Sequence, residues 1–313
     1  MGLFDYLCVT ELPIWAVGNK NNQYFKLFLF YTLQLKTEPL MTDSKIVGLQ
    51  NILREMQSVL VAYSGGMDSS FLLKVAKDVL NENVLAVTAD SEIYSTIETE
   101  GARKFAGEIG VKHIVVRTNE LKNKDFVKNS TDRCFHCKLS LYSEFIKIAE
   151  TNGLNQVIDG INFDDKKDFR PGMSAATKLK IRSPLLEAGL TKEEISSYSK
   201  EMNLSTWNKL PNPCLSTRFP YGTELIRENL SKVEQAEIQL TKYRFKQFRL
   251  RIHDNIARLE ILPEDMGIAF NEENRTEIVS MLKGFGYTYI TIDLEGYRTG
   301  SMNEKFRIRN RLQ

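Results

Sequence analysis

Ser64-Gly-Gly-Met-Asp-Ser-Ser70 follows the apolar run Val59-Leu-Val-Ala-Tyr63 and precedes Phe71-Leu-Leu-Lys-Val-Ala-Lys-Asp-Val-Leu80, whose apolar positions recur at helical spacing. A buried strand, a glycine turn and a helix in that order place backbone N–H groups where they bind a phosphate, because glycine lets the chain approach closely and a helix N-terminus favours an anion. No Gly-Lys-Ser/Thr closes the loop, so it is not a Walker A sequence.

Outward from this loop, short β-branched runs alternate with helical periodicity. Strands are predicted at Val59–Tyr63, Val84–Thr88, His113–Val116 and Gln156–Asp159, with helices at 69–80, 95–109 and 138–150 between them. The rhythm predicts an α/β fold, a doubly wound parallel sheet covered on both faces. Thr191-x-x-Glu194 reads as a capping box opening a helix to about Met202. Pro211, Pro213 and Pro220 then break the chain, and a domain boundary is placed near Tyr221. A helix to about Tyr243, strands at Phe248–Ile252 and Ala257–Leu262, a helix after Pro263 and a strand at Tyr287–Leu294 make the remainder a smaller C-terminal α+β domain. The expected division is an extension outside the fold at 1–40, an α/β domain at 41–220 and the α+β domain at 221–313, with Met41 an alternative start of translation. Thr42, Asp43 or Ser44 would cap a first helix with Ile46, Leu49, Ile52, Leu53 and Met56 on one face.

Composition narrows the class. The 313 residues suggest about two domains, and Lys plus Arg, 42 against 40 acidic residues, gives no global basic field for a nucleic-acid partner. Tyr24–Leu35 is the most apolar stretch, but Lys26 and Gln34 interrupt it, it falls short of the roughly 20 residues that span a bilayer, and no cleavage site follows. A membrane protein and a secreted one are both disfavoured. Four cysteines are too few for a secreted disulfide scaffold, so the expected compartment is the cytoplasm. Cys134-Phe-His-Cys137 is placed just before the helix near Lys138 and reads as metal or redox chemistry; Cys214 stands in Asn212-Pro-Cys-Leu-Ser-Thr-Arg218, a polar, electropositive loop.

The loop resembles the signature S-G-G-x-D-S of the ATP pyrophosphatase, or PP-loop, family, whose members cleave ATP between the α and β phosphates to adenylate a substrate. That resemblance implies that Ser64, Gly65, Gly66 and Ser69 hold the pyrophosphate and that Asp68 faces Mg²⁺. Ala62 and Thr88 at strand ends and Gly160 after the fourth strand would complete the ATP crevice, at the carboxyl edge of the sheet where such folds bind ligands. Asn162 and Asp164 lie near it.

A narrower resemblance rests on the loop together with Asp132-Arg-Cys-Phe-His-Cys-Lys138, Asp159-Gly-Ile-Asn162, Arg170-Pro-Gly172, Arg182-Ser-Pro-Leu185, Pro213-Cys-Leu-Ser-Thr-Arg-Phe-Pro-Tyr-Gly222 and Asp293-Leu-Glu-Gly-Tyr-Arg-Thr-Gly-Ser-Met-Asn303. From about Ser44 onward the chain is similar to LarE, the PP-loop sulfur transferase family of nickel-pincer nucleotide biosynthesis. The resemblance implies that ATP adenylates pyridinium-3,5-biscarboxylic acid mononucleotide and that a sulfur nucleophile displaces AMP, in two rounds. It implies sulfide or a sulfur-donor protein as partner, no nucleic acid, and a homo-oligomer. Some members sacrifice the sulfur of the cysteine matching Cys214; others hold a [4Fe-4S] cluster on three cysteines, here Cys134, Cys137 and Cys214, leaving one iron open. Zinc at the same cysteines with His136, or a disulfide at Cys134 and Cys137, are the competing readings.

Arg170, Arg182 and Arg218 are the candidates for binding a substrate's phosphate and carboxylates, since arginine meets both bidentately. Arg249, Arg251, Arg258 and Glu260 alternate along two strands, which is either an exposed sheet face or, as the resemblance implies, a substrate pocket using Arg258 and Glu260. Three histidines offer no nucleophilic triad. The rival functions are a PP-loop tRNA thiolation enzyme, which calls for a basic RNA-binding surface, an amidotransferase or synthetase of the NAD or GMP type, and a non-enzymatic Fe–S or adenylate-binding regulator.

Overall fold

The computed structural model describes residues 44–167 and 171–303; the 1–40 extension, Cys8 and Arg170 lie outside the described residues. The chain divides into two units, Met1–Val47 and Gly48–Gln313. Of the first, only the opening of helix α1 (Ser44–Met56) is described; both sheets belong to the second.

Four parallel strands, β1 (Val59–Ala62), β2 (Val84–Asp90), β3 (Lys112–Arg117) and β4 (Gln156–Ile158), stand in the order β3-β2-β1-β4. The central pair is buried along nearly its whole length, as expected of strands covered on both faces. Helices α2 (Met67–Leu80), α3 (Thr96–Glu108) and, beyond the short α4 (Lys124–Val127), α5 (Arg133–Thr151) make the crossovers. Leu60, Leu85, Val87, Leu141, Tyr142, Phe145 and Val157 share one core cluster. Chain order leaves β1 flanked by β2 on one side and β4 on the other, so the crevice between the carboxyl ends of β1 and β4 is the topological switch point.

One boundary differs from expectation in a way that matters. Helix α5 begins at Arg133, not near Lys138, so Cys134 and Cys137 lie within it. The buried stripe runs back to the first residue: Arg133, Cys137, Leu141, Phe145 and Ala149 are all buried and recur at i+4, which puts Cys137 on the helix's inward face. The capping box at Thr191 forms as read, with Thr191 accepting from the Glu194 amide and Glu194 returning the bond, and it opens a helix over Lys192–Glu201.

The C-terminal region holds a mixed sheet in the order β5-β6-β7, with β5 (Phe248–His253) antiparallel to β6 (Ile256–Ile261) and β7 (Tyr289–Ile292) parallel to β6. The expected helix after Pro263 is a 3₁₀ turn and two helices, Met266–Phe270 and Glu272–Gly284, split where the Asn271 side chain caps the Glu273 and Asn274 amides. Helix Arg227–Leu240 turns Leu230, Val233, Ala236 and Leu240 inward. Their core cluster also contains Leu250, Leu259, Ile93, Phe126, Cys137 and Leu215, so the sheet of the C-terminal region and the cysteine helix share one apolar interior.

Candidate active site

The Ser64–Ser70 loop occupies the switch point. Gly65 takes φ +72°, and a Cβ there would stand 2.9 Å from the Ala102 Cβ, so this position needs glycine for conformation and for space. Gly66 is the N-cap of α2 and brings no side-chain cap, which leaves the first helical amides directed at the loop. Ser64 Oγ and Ser69 Oγ lie 3.0 Å apart, and Ser69 Oγ donates to the Gly66 carbonyl at 3.1 Å, so two of the expected phosphate-holding hydroxyls converge. From β4, Gly160 packs so closely that a Cβ would meet the Ser69 amide nitrogen at 3.0 Å. Asn162 Nδ2 donates to Asp68 Oδ2 at 3.2 Å, bringing the Asp159–Asn162 turn onto the same loop. Asp159 itself is buried under Tyr142 and Ser183, whose hydroxyls each donate to it at 2.7 Å, and burial raises its pKa above the ordinary aspartate range.

Ala62 ends β1 half-buried beneath the loop. Thr88 lies behind it, buried, with its hydroxyl donating to the Tyr63 carbonyl at 2.7 Å. That uses its one proton, so at 2.8 Å it accepts from His113 Nε2. Burial, then the Arg103 charge, lowers the His113 pKa to about 4.

The three cysteines come together from two segments. All are free thiols. Leu215 N–H donates to the Ile93 carbonyl at 2.8 Å, which fixes the Cys214 loop beside the end of β2. Tyr94, next to it, sets its hydroxyl 3.9 Å from Cys137 Sγ. Burial and, next, the neighbouring Cys214 push the Cys137 thiol up to about 12; the same two causes, in the same order, raise Cys134. Cys214 Sγ is 2.8 Å from the Ser216 hydroxyl. The donor set therefore fits a thiolate-held group in kind, three reduced sulfurs with Cys214 near both helix cysteines, although among the described residues no three His, Cys, Asp or Glu side chains are gathered at metal-binding spacing.

The arginines are placed differently from one another. Arg218 is fully buried: Nε and Nη2 meet Glu237 at 3.0 and 2.8 Å, Nη2 also meets Asn212 Oδ1 at 2.8 Å, and Nη1 donates to the Pro213 carbonyl at 2.7 Å. Its donors are thus spent on Glu237 and the Cys214 loop, not left for a substrate. Burial raises the Glu237 pKa, but the Arg218 charge and hydrogen bonds bring it below the ordinary glutamate value. Arg182 is paired with Glu187 at the sheet edge. Arg258 and buried Arg251 flank the fully buried Glu260, at 3.0 and 2.9 Å, and Ser301 Oγ donates to Glu260 at 2.9 Å. Arg251 Nη1 also donates to the Thr217 carbonyl at 2.9 Å, which ties this cluster to the cysteine loop.

Residues 58–133 match the family described as queuosine biosynthesis protein QueC. Pyridinium-3,5-bisthiocarboxylic acid mononucleotide synthase of Lactiplantibacillus plantarum is 38% identical over 256 residues, covering 80% of this chain and 91% of that protein. The chain belongs to the LarE family. An uncharacterized protein of Synechocystis sp. is 41% identical over 84% of this chain and 98% of its own length, and one of Methanocaldococcus jannaschii is 31% identical over 82% and 98%. As a LarE-family member with a PP-loop domain, the chain is an ATP-dependent enzyme. Among the described residues no helix is long and apolar enough to cross a membrane.

Sequence reading missed Lys209, Glu98, Glu237 and Tyr94. Lys209 Nζ donates to the Gly65 carbonyl at 2.8 Å across 144 positions of sequence, a contact with no local signature. Glu237 did leave a trace: a carboxylate beside Ala236 and between Val233 and Leu240 lies next to the buried stripe of its helix, where a charge needs a partner.

Proposed function

We propose that this enzyme uses ATP to activate a carboxylate of pyridinium-3,5-biscarboxylic acid mononucleotide and replaces one carboxylate oxygen with sulfur. The carboxylate oxygen attacks the α-phosphorus, pyrophosphate leaves, and the acyl adenylate forms. A sulfur nucleophile then attacks the carbonyl carbon, and the C–O bond to AMP breaks. Activation is needed because an oxide is a poor leaving group, whereas AMP departs with its charge on phosphate. The observation that carries this reading is the S-G-G-x-D-S loop built at the switch point of a chain that covers 91% of a synthase named for the dithiocarboxylic product.

In this scheme Ser64, Gly65, Gly66 and Ser69 seat the departing pyrophosphate, Gly160 closes the crevice, and Asp68, on the first turn of α2, faces Mg²⁺. Cys134, Cys137 and Cys214 would hold a [4Fe-4S] cluster, which when bound supplies an iron open to sulfide. Arg218 and Glu237 hold the Cys214 loop in place, while Arg258 and Glu260, with Arg170 and Arg182, are assigned to the substrate. Residues 41–220 carry the ATP chemistry and 221–313 further substrate contacts and self-assembly, in a cytoplasmic homo-oligomer. The Ser216 hydroxyl at 2.8 Å from Cys214 Sγ favours one second reading, in which Cys214 gives up its own sulfur, because it gives that sulfur a fixed hydrogen-bond partner.

Pyrophosphate release from ATP, dependent on the pyridinium dicarboxylate, tests the activation step and separates the enzyme from a nucleotide-binding regulator. Anaerobic purification with iron and sulfide analysis tests the cluster. Iron present in the wild type and lost in Cys134→Ala and Cys137→Ala is expected; an iron-free protein that turns over once and leaves Cys214 lighter by the mass of H₂S establishes the sacrificial route instead.

A further inference from the structure

Residues 206–214 run from the phosphate loop to the cysteine site, and their anchors lie at both ends. Lys209 Nζ donates to the Gly65 carbonyl at 2.8 Å and pairs with Glu98 at 2.7 Å. Glu98 also accepts from Asn212 Nδ2 at 3.2 Å, and Asn212 in turn is held by Arg218. The Pro211 carbonyl accepts from Gln247 at 3.2 Å and from Arg249. Cys214 comes three residues later. The segment is therefore a strap, fastened by a lysine to the glycine turn and by Arg249 to the sheet of the C-terminal region.

Of the two partners of Lys209, Glu98 and the Gly65 carbonyl, the carbonyl is the exchangeable one. A neutral carbonyl binds an ammonium less strongly than a phosphate oxygen does. The α2 amides and Ser69 would seat an anion beside the Gly65 carbonyl, within reach of a flexible four-carbon stem. Glu98 neutralises the ammonium while the loop holds no anion and keeps it aimed at the turn.

We propose that Lys209 is a phosphate-binding residue that ties occupancy of the loop to the strap carrying Cys214: with a nucleotide triphosphate in the loop, its ammonium exchanges the Gly65 carbonyl for a phosphate oxygen and draws residues 206–214 onto the nucleotide. Loss of pyrophosphate then releases the strap, so the thiol side changes in step with activation. This rests on the reading of the loop as an ATP site.

The test uses the full chain as purified and α,β-methylene-ATP, which cannot be cleaved between the α and β phosphates. Equilibrium binding and hydrogen exchange of peptides covering 206–214 are measured in the wild type, Lys209→Met and Lys209→Arg. In the wild type, saturating nucleotide is expected to slow exchange in the strap several-fold. Lys209→Met should bind about tenfold to a hundredfold more weakly and show no slowing even at saturation, and Lys209→Arg should restore both. Lys209→Gln makes the same comparison should the methionine variant fold poorly. Equal affinity and equal strap protection in wild type and the uncharged variants overturn the role of Lys209 alone; a wild type that binds no nucleotide overturns the ATP reading with it.

Discussion

At the scale of single residues, the loop concentrates chemistry on side chains whose removal costs the core little. Asp68 and Ser69 sit in the first turn of α2, and Ser69 bonds only Ser64 and the Gly66 carbonyl among its described partners. Asp68→Ala and Ser69→Ala are expected to abolish pyrophosphate release while leaving the melting temperature within a few degrees; wild-type turnover by a folded Asp68→Ala protein would remove the loop from the mechanism. His113 makes the opposite kind of prediction, about stability. Its folded pKa of about 4 lies below the ordinary histidine value, so the unfolded chain binds the extra proton between about pH 6.5 and 4. This contribution is complete above about pH 6.5 and is lost as pH falls toward 4. Thermal melts across that range should show His113→Gln with a shallower loss than the wild type, and parallel curves would mean that burial does not hold the ring neutral.

At the scale of elements, two helices illustrate how local chemistry sets a boundary. Helix Lys192–Glu201 begins where its capping box closes. Thr191→Ala removes an acceptor for the Glu194 amide and is expected to cost about 1 kcal/mol, a drop of about 2–4 °C in melting temperature, with pyrophosphate release unchanged. A larger loss would show that Thr191 does more than cap. Helix α5 begins instead where its buried stripe begins, and this decides the cysteine geometry. The three-residue separation of Cys134 and Cys137 puts both thiols on neighbouring positions of one helical face, with Cys137 turned into the core beside Tyr94 and Leu215.

At the scale of the whole molecule, the Arg218–Glu237 pair holds the Cys214 loop to the C-terminal region. Arg218 is fully buried and Glu237 largely so; the pair joins the Cys214 loop to helix Arg227–Leu240, while the Glu237 carboxylate also accepts the Leu250 amide at 2.9 Å from β5. Removing one partner leaves an unpaired buried charge. Arg218→Met is expected to destabilise by about 3–5 kcal/mol in a denaturant titration, and Arg218→Met with Glu237→Leu should recover part of it, short of the bond to Leu250. A double variant no more stable than the single one would show that loop packing, not the charge, carries the loss.

The alternation of apolar strands and periodic helices made the parallel sheet legible, because burial on both faces demands continuous apolar runs such as Val84–Thr88. The same local logic exposed the loop, since a glycine between strand and helix signals the positive φ that Gly65 adopts, whereas the contacts that bar a side chain at Gly65 and Gly160 come from Ala102 and Ser69, far off in sequence. The capping box at Thr191 was legible for the same reason. The start of α5 was not, since cysteine is both a helix-face apolar residue and a ligand, and C-x-x-C drew the reading toward the second. What only the tertiary structure decided are contacts between segments far apart in sequence: Cys214 reaching the α5 cysteines through Leu215 and Ile93, Lys209 reaching Gly65, Arg218 sealed against Glu237. Residue type predicts that a buried arginine or lysine needs an acceptor, but which acceptor it finds is set by how the chain closes on itself, and sequence spacing carries no record of that.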